Sequence, residues 1–287
     1  MIEGFSIKKM AFKSKTLLLL VSGILAIFTI RTLLAAQFAV PRLFDLFDAL
    51  VLAGSAVVLW RGYASLTATD WLAAAGLGCV VGVGMLFATL FTPYPFFGII
   101  QSHTGQALVR GTAAFLACLG GLTVMRQGGP VIFQAANRKA GRAGRDLLFG
   151  LLLGMPLAAL NVFALQFTQG QSISWQNPGA AMLDALQPAV LEEVLYRFAL
   201  WGLLWLLLRK SMPDKAVWIS GGLALLIHNF AHYDDLFLQS PLAAVGMGLV
   251  VMLIWGLPPT LLARYRGLEA AIAFHWIQDA ARFLAGF

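Results

Sequence analysis

The chain has 287 residues, 60% of them hydrophobic and only 11% charged, with a mean hydropathy of +0.81. Soluble domains carry about 25% charged residues, so this chain cannot bury its apolar surface against itself and its solvent must be lipid. Its apolar runs are long and continuous, which excludes the roughly ten-residue alternation of a membrane β-barrel. The net charge of +7 fits the crowding of Lys and Arg in cytoplasmic loops of a membrane protein. No polar region interleaves basic and aromatic residues, so nucleic-acid binding is not expected.

The fold class expected is all-α, a polytopic transmembrane bundle of 8–9 spans. The opening MIEGFSIKKMAFKSKTLLLLVSGILAIFTIR joins a basic region to an apolar run. It resembles a signal sequence, but no small-residue cleavage site leads into a polar domain, and it reads as an uncleaved first span. Candidate spans lie at approximately 16–38, 43–60, 71–91, 107–125, 147–167, 180–208, 216–233, 241–263 and 268–286. The second is short and begins with Asp45 and Asp48, so eight spans is the alternative. Arg31 inside the first span is left without a role. Cys79 and Cys118 each lie in an apolar run with no CxxC pattern, which predicts packing thiols. Gly78-xxx-Gly82 and Gly150-xxx-Gly154 predict close helix packing.

Loop charges set the orientation. Lys8, Lys9, Lys13 and Lys15 precede the first span, which places the N-terminus in the cytoplasm. Alternate loops then carry Arg61, the basic stretch 126–146, Arg209 with Lys210 and Lys215, and Arg264 with Arg266. The opposite loops, TPYPFFGIIQSHTGQ, TQGQSISWQNPG and YDDLFLQSP, hold no Lys or Arg. Arg42 is the exception. The basic loop could lie on an anionic leaflet. It separates residues 1–140, a group of four spans, from residues 141–287, which carry the motifs.

The sixth span holds LEEVLYRFALWGLLWLLLR, with Glu192, Glu193 and Arg197 inside an apolar run. An ionisable residue at the bilayer centre costs about 2.5–3.5 kcal/mol on the insertion scale. Glu193 and Arg197, at i and i+4, form a favourable helical pair. Glu192 lies about 100° around the helix and needs another partner. Pro188, one turn earlier, is expected to kink the helix or open it to water. In the next span His228 and His232 stand at i and i+4, and in the last span His275 and Asp279 do the same. Counted from the flanking charges, Glu192 and His232 both lie roughly 25 Å into the membrane, Asp279 roughly 20 Å and His275 roughly 13 Å. Such depths permit convergence on one polar site. His103, in an external loop, is expected to be unrelated.

The order EExxxR, then a His late in the following span, then HxxxD, resembles the CPBP family of CaaX prenyl endopeptidases and bacteriocin-processing-like intramembrane proteases. The resemblance covers approximately residues 180–285. It implies a catalytic set in which Glu192 activates a water with His232, while His275 and Asp279 stabilise the oxyanion. Glu193 and Arg197 then have positioning roles. Two departures stand out: His228 replaces the family's Phe, and Asp279 stands where Asn is common. A carboxylate cannot donate to an oxyanion, so Asp279 must be protonated, orient His275 or bind a metal. His228, His232, His275 and Glu192 could supply N and O ligands for zinc. A divalent metal is therefore an open cofactor alternative beside a metal-free glutamate mechanism.

The function expected is an intramembrane endopeptidase acting on membrane-associated peptides or proteins in the lipid bilayer. A proton- or metal-coupled transporter predicts the same buried polar residues but not their motif order. A non-catalytic immunity or scaffold protein predicts loss of a motif residue. The expected location is the bacterial inner membrane, multi-pass, with the site in the outer half of the bilayer.

Overall fold

The computed structural model describes residues 3–92 and 94–287, with side chains from Lys15 onward. Lys8, Lys9 and Lys13, on which the orientation partly rests, lie outside the described side chains. Among the described residues the regular secondary structure is helical, apart from a single antiparallel bridge between Phe96 and Ile100. The long helices are α1 (Glu3–Ala35), α2 (Leu43–Gly62), α3 (Ala68–Leu86), α4 (His103–Arg126) and α5 (Ala140–Gln169). After α6 (Pro178–Asp184), α7 (Leu186–Glu192) runs through a π-helical segment, Glu193–Leu200, into α8 (Trp201–Leu208). Then come α9 (Ala216–Ala231), α10 (Asp234–Gln239) and α11 (Pro241–Val251), which continues through a second π segment, Met252–Gly256, into α12 (Leu257–Tyr265). The described chain closes with α13 (Leu268–Ala285).

Six of these stretches are long and apolar enough to cross a membrane by length and composition. They are α1 from Lys15, α2, α3, α4, α5 and the α11–α12 unit. The three other predicted spans map to α7–α8, α9 and α13. These carry the motif charges or, for α9, only 16 residues. The apolar lengths and the bundle make the chain an integral multi-pass membrane protein.

The bundle is layered around α4, whose apolar window is 67% buried against 6% for α1. α4 packs on α2, α3 and the first π segment, every residue of which is buried. Glycine permits the closest approaches: a Cβ on Gly78 would stand 2.8 Å from the Gly111 carbonyl oxygen. Gly150 and Gly154 bring α5 onto the α13 backbone at Ala270 and Phe274. Both small-residue patterns thus sit at helix contacts, as expected. Cys118 is buried and Cys79 exposed, and both are free thiols.

Arg31 acquires a partner. Its Nη1 lies 2.5 Å from Asp234 Oδ1, with both side chains 6% exposed. Asp234 also accepts from the Leu43 amide at 3.0 Å. One buried ion pair therefore ties α1, α2 and α10 at one end of the bundle.

The predicted single span 180–208 is interrupted. The chain turns at Ala185 and helix resumes at Leu186, which puts Pro188 in a first helical turn, where its missing N–H is not needed. Asp184 accepts hydrogen bonds from the backbone N–H groups of Thr89, Leu90 and Phe91. That anchors the connection between α3 and α4 over the mouth of the site.

Candidate active site

Glu192 is the last residue of α7, and Glu193 to Arg197 lie in the π segment. Such segments inside α-helices cluster at functional sites because they re-aim side chains. Glu193 is fully buried, and its Oε1 accepts from Arg197 Nη1 at 2.7 Å, the pair expected from the spacing. The same oxygen meets His275 Nδ1 at 2.8 Å. Glu193 is therefore an anchor for α13 as well as a partner for Arg197. Arg197 is completed by the Thr260 hydroxyl and the Gly256 carbonyl, each at 3.4 Å.

Glu192 is 21% exposed and faces three imidazoles. Its Oε2 is 2.8 Å from His228 Nε2, 3.9 Å from His232 Nε2 and 3.9 Å from His275 Nε2. The histidine in direct contact is thus His228, while His232 stands back at the cavity edge with 44% of its side chain exposed. His103 lies at the exposed start of α4, away from this cluster.

The hydrogen-bond partners determine the tautomer of His228. Arg197 Nη1 lies 3.1 Å from His228 Nδ1. A guanidinium only donates, so Nδ1 must accept, and the ring proton sits on Nε2. His228 Nε2–H then donates to the Glu192 carboxylate. The ring is stacked on Tyr196, with centroids 4.6 Å apart, and the Tyr196 hydroxyl donates to Asp48 at 2.6 Å. The Phe44 ring edge braces His232 at 4.8 Å.

His275 is surrounded by carboxylates. Nδ1 donates to Glu193, and Nε2 faces Asp279 Oδ2 at 3.4 Å as well as Glu192. An imidazolium, with two N–H donors, matches that surround. Asp279 Oδ1 is 3.1 Å from Arg282. Asp279 thus lies between His275 and Arg282.

Glu192, His228 and His232 offer ligand atoms within 4.8 Å of one another. One contact weighs against a metal ion at this group. A ligating imidazole turns its second nitrogen, as N–H, towards an acceptor. Here that nitrogen of His228 faces an arginine donor. His275 falls outside this three-residue group.

Two cavities meet at the cluster. One, about 520 Å³, lies beneath the α3–α4 connection and is lined by Arg42, Asp48, Tyr94, Arg110 and Arg282 beside the cluster. The other, about 360 Å³, lies between α5 and the α11–α12 unit. His232, His275 and Asp279 line both. Sequence reasoning missed Tyr196, Asp48, Phe44 and Arg282 as neighbours of the site. Asp48 inside an apolar helix and Arg282 one turn after Asp279 were the available signals.

Residues 174–281 match the family model described as type II CAAX prenyl endopeptidase Rce1-like. The match runs from the approach to α6 into α13 and so contains each motif residue. It agrees with the CPBP resemblance carried by EExxxR, the histidine helix and HxxxD. No curated protein and no solved structure matches the chain.

Proposed function

We propose that the chain is an intramembrane endopeptidase of the CaaX-protease type, hydrolysing peptide bonds of membrane-associated substrates with Glu192 as the base. The observation that carries this reading is one carboxylate within 3.9 Å of three imidazoles, at the meeting of two cavities. The Rce1-like match over the same residues supports it.

Glu192, with His232, holds a water and takes its proton as the hydroxide oxygen adds to the scissile carbonyl. His275, held by Glu193 and Asp279, donates an N–H to the developing oxyanion. Glu192 returns the proton to the amide nitrogen as the C–N bond breaks. His228 holds the Glu192 carboxylate in place, and Arg197 holds His228. The chemistry needs no metal in this scheme.

The test is cleavage of membrane-tethered peptides by purified wild type and Glu192→Ala, each with and without a strong chelator. Cleavage by wild type that is lost in the variant and indifferent to chelator is expected. Undiminished cleavage by Glu192→Ala sinks the assignment. Chelator-sensitive activity restored by zinc sinks the metal-free scheme alone.

A further inference from the structure

We propose that Arg110 selects substrates by gripping a carboxylate carried a few residues from the scissile bond, in the cavity beneath the α3–α4 connection. This rests on the endopeptidase reading of the Glu192 cluster.

Arg110 stands about two turns into α4, a helix of membrane-spanning length, and is 5% exposed. A charge at such a position normally pairs with an opposite one or marks a site. Arg31, Arg197 and Arg282 each have a carboxylate within 4.0 Å; among the described residues Arg110 has none. The carboxylates of the cavity wall are committed elsewhere: Glu192 to His228, Asp48 to Tyr196, Asp234 to Arg31 and Asp279 to Arg282. Asp235, also in the wall, is exposed. Asp45 accepts from the Arg42 and Phe97 amides.

The guanidinium is held at two of its three nitrogens. Nε donates to Gln106 Oε1 at 2.8 Å, and Nη2 donates to the Tyr94 carbonyl at 3.0 Å. Gln106 is fixed in turn, its Nε2 donating to the Ile100 and Tyr94 carbonyls. Among the described residues Nη1 has no hydrogen-bond partner, yet it is not one of their fully enclosed unpartnered atoms. Arg110 lines the same cavity as Glu192, His275 and Asp279, so the open donor shares the cavity with the cluster. Arg42 stands over the Tyr94 ring at 4.4 Å and Arg110 at 5.6 Å, which adds a second positive charge to that wall.

In the proposed reaction this cavity, about 520 Å³, holds the substrate beside the scissile bond. A space of small-ligand size takes only a few residues. A carboxylate among them gives the guanidinium its missing counter-charge through a charge-assisted hydrogen bond. A carboxamide leaves the buried charge unpaired, which is how a polar site rejects an analogue. An acidic side chain and a chain end present the same carboxylate chemistry.

The test reads binding and cleavage separately. Fluorophore-labelled peptides with one membrane-spanning segment are titrated in phosphatidylcholine nanodiscs against the Glu192→Gln protein. One set walks a single Glu through the peptide, each position paired with its Gln counterpart. A second set compares a free C-terminal carboxylate with its amide. In one set a carboxylate is expected to bind about ten- to a hundredfold more tightly than its carboxamide, and adding Arg110→Met should remove that difference. The set that responds names the source of the carboxylate. Arg110→Lys keeps the charge without the fork and should restore only part of the difference; it also serves if Arg110→Met does not fold. The proposal is overturned if no carboxylate outbinds its carboxamide, or if the preference survives both substitutions. It is equally overturned if Arg110 instead controls a gain in neutral-peptide binding on changing to phosphatidylglycerol nanodiscs, which would give the site to a lipid phosphate. Carboxylate-selective binding through Arg110 with no cleavage by wild type would leave the subsite standing and remove the endopeptidase reading. Cleavage without that selectivity would do the reverse.

Discussion

Replacing Arg197 by Met should destabilise the protein by about 3–5 kcal/mol, the cost of breaking a buried ion pair by removing one partner. The structure locates that cost. Glu193 is fully buried, its Oε2 has no hydrogen-bond partner, and its Oε1 is shared between Arg197 and His275. Without the guanidinium the carboxylate retains only the His275 contact. Thr260 and the Gly256 carbonyl lose a donor as well. Adding Glu193→Gln removes the uncompensated charge, and the double variant should recover most of the loss. Activity should not return with stability, because Glu193 no longer holds His275 as a carboxylate and His228 no longer has a donor at Nδ1. The assay is reversible denaturant unfolding in mixed micelles, wild type against both single variants and the double variant, with peptide cleavage measured in parallel. A loss below about 1 kcal/mol for Arg197→Met, the range of exposed pairs, would refute the buried-pair reasoning. So would additivity of the two single variants, since groups in direct contact should couple by about 0.5–3 kcal/mol.

His228→Phe removes the donor to Glu192 while keeping an aromatic ring against Tyr196. Losing a hydrogen bond to a charged group, worth about 1.5–3 kcal/mol, should reduce kcat/KM by roughly 10- to 150-fold. Nitrogen-15 spectra of the labelled histidines should show His228 protonated at Nε2 alone; a proton on Nδ1 would contradict the Arg197 contact. Gly150→Leu forces a side chain into the Ala270 backbone and should cost about 1–3 kcal/mol or more. Gly222→Ala, which meets nothing within 4 Å, is the control, and thermal unfolding in detergent compares them.

Much of the bundle was legible because a bilayer sets the length of each apolar run. Eight of the nine predicted stretches correspond to a helix or a continuous helical unit, and the other, 180–208, is broken at Ala185. The Glu193–Arg197 pair was legible because its partners are four residues apart on one element. The two π segments were not, since the sequence carries no periodic mark of a widened turn. Nor was the turn at Ala185. Pro188 suggested a kink, but whether a helix bends at a proline or restarts ahead of it depends on what satisfies the freed backbone. Here the helix restarts at Leu186, and the Asp184 side chain accepts from the 89–91 backbone.

Composition and motif order by themselves determined that this is a helical membrane protein, with carboxylates and imidazoles gathered in its last third. Burial costs are so large in lipid that such residues must find one another, and that logic needs no coordinates. Only the tertiary structure decided which atoms meet. His228 and His232 share one helix face, and spacing treats them alike. The packing of α9 against the π segment brings His228 to 2.8 Å from Glu192 and leaves His232 at 3.9 Å. Arg197, reaching across from the same segment, then selects the His228 tautomer. Hydrogen bonds between helices act over tenths of an ångström, and periodicity along a single helix holds no record of them.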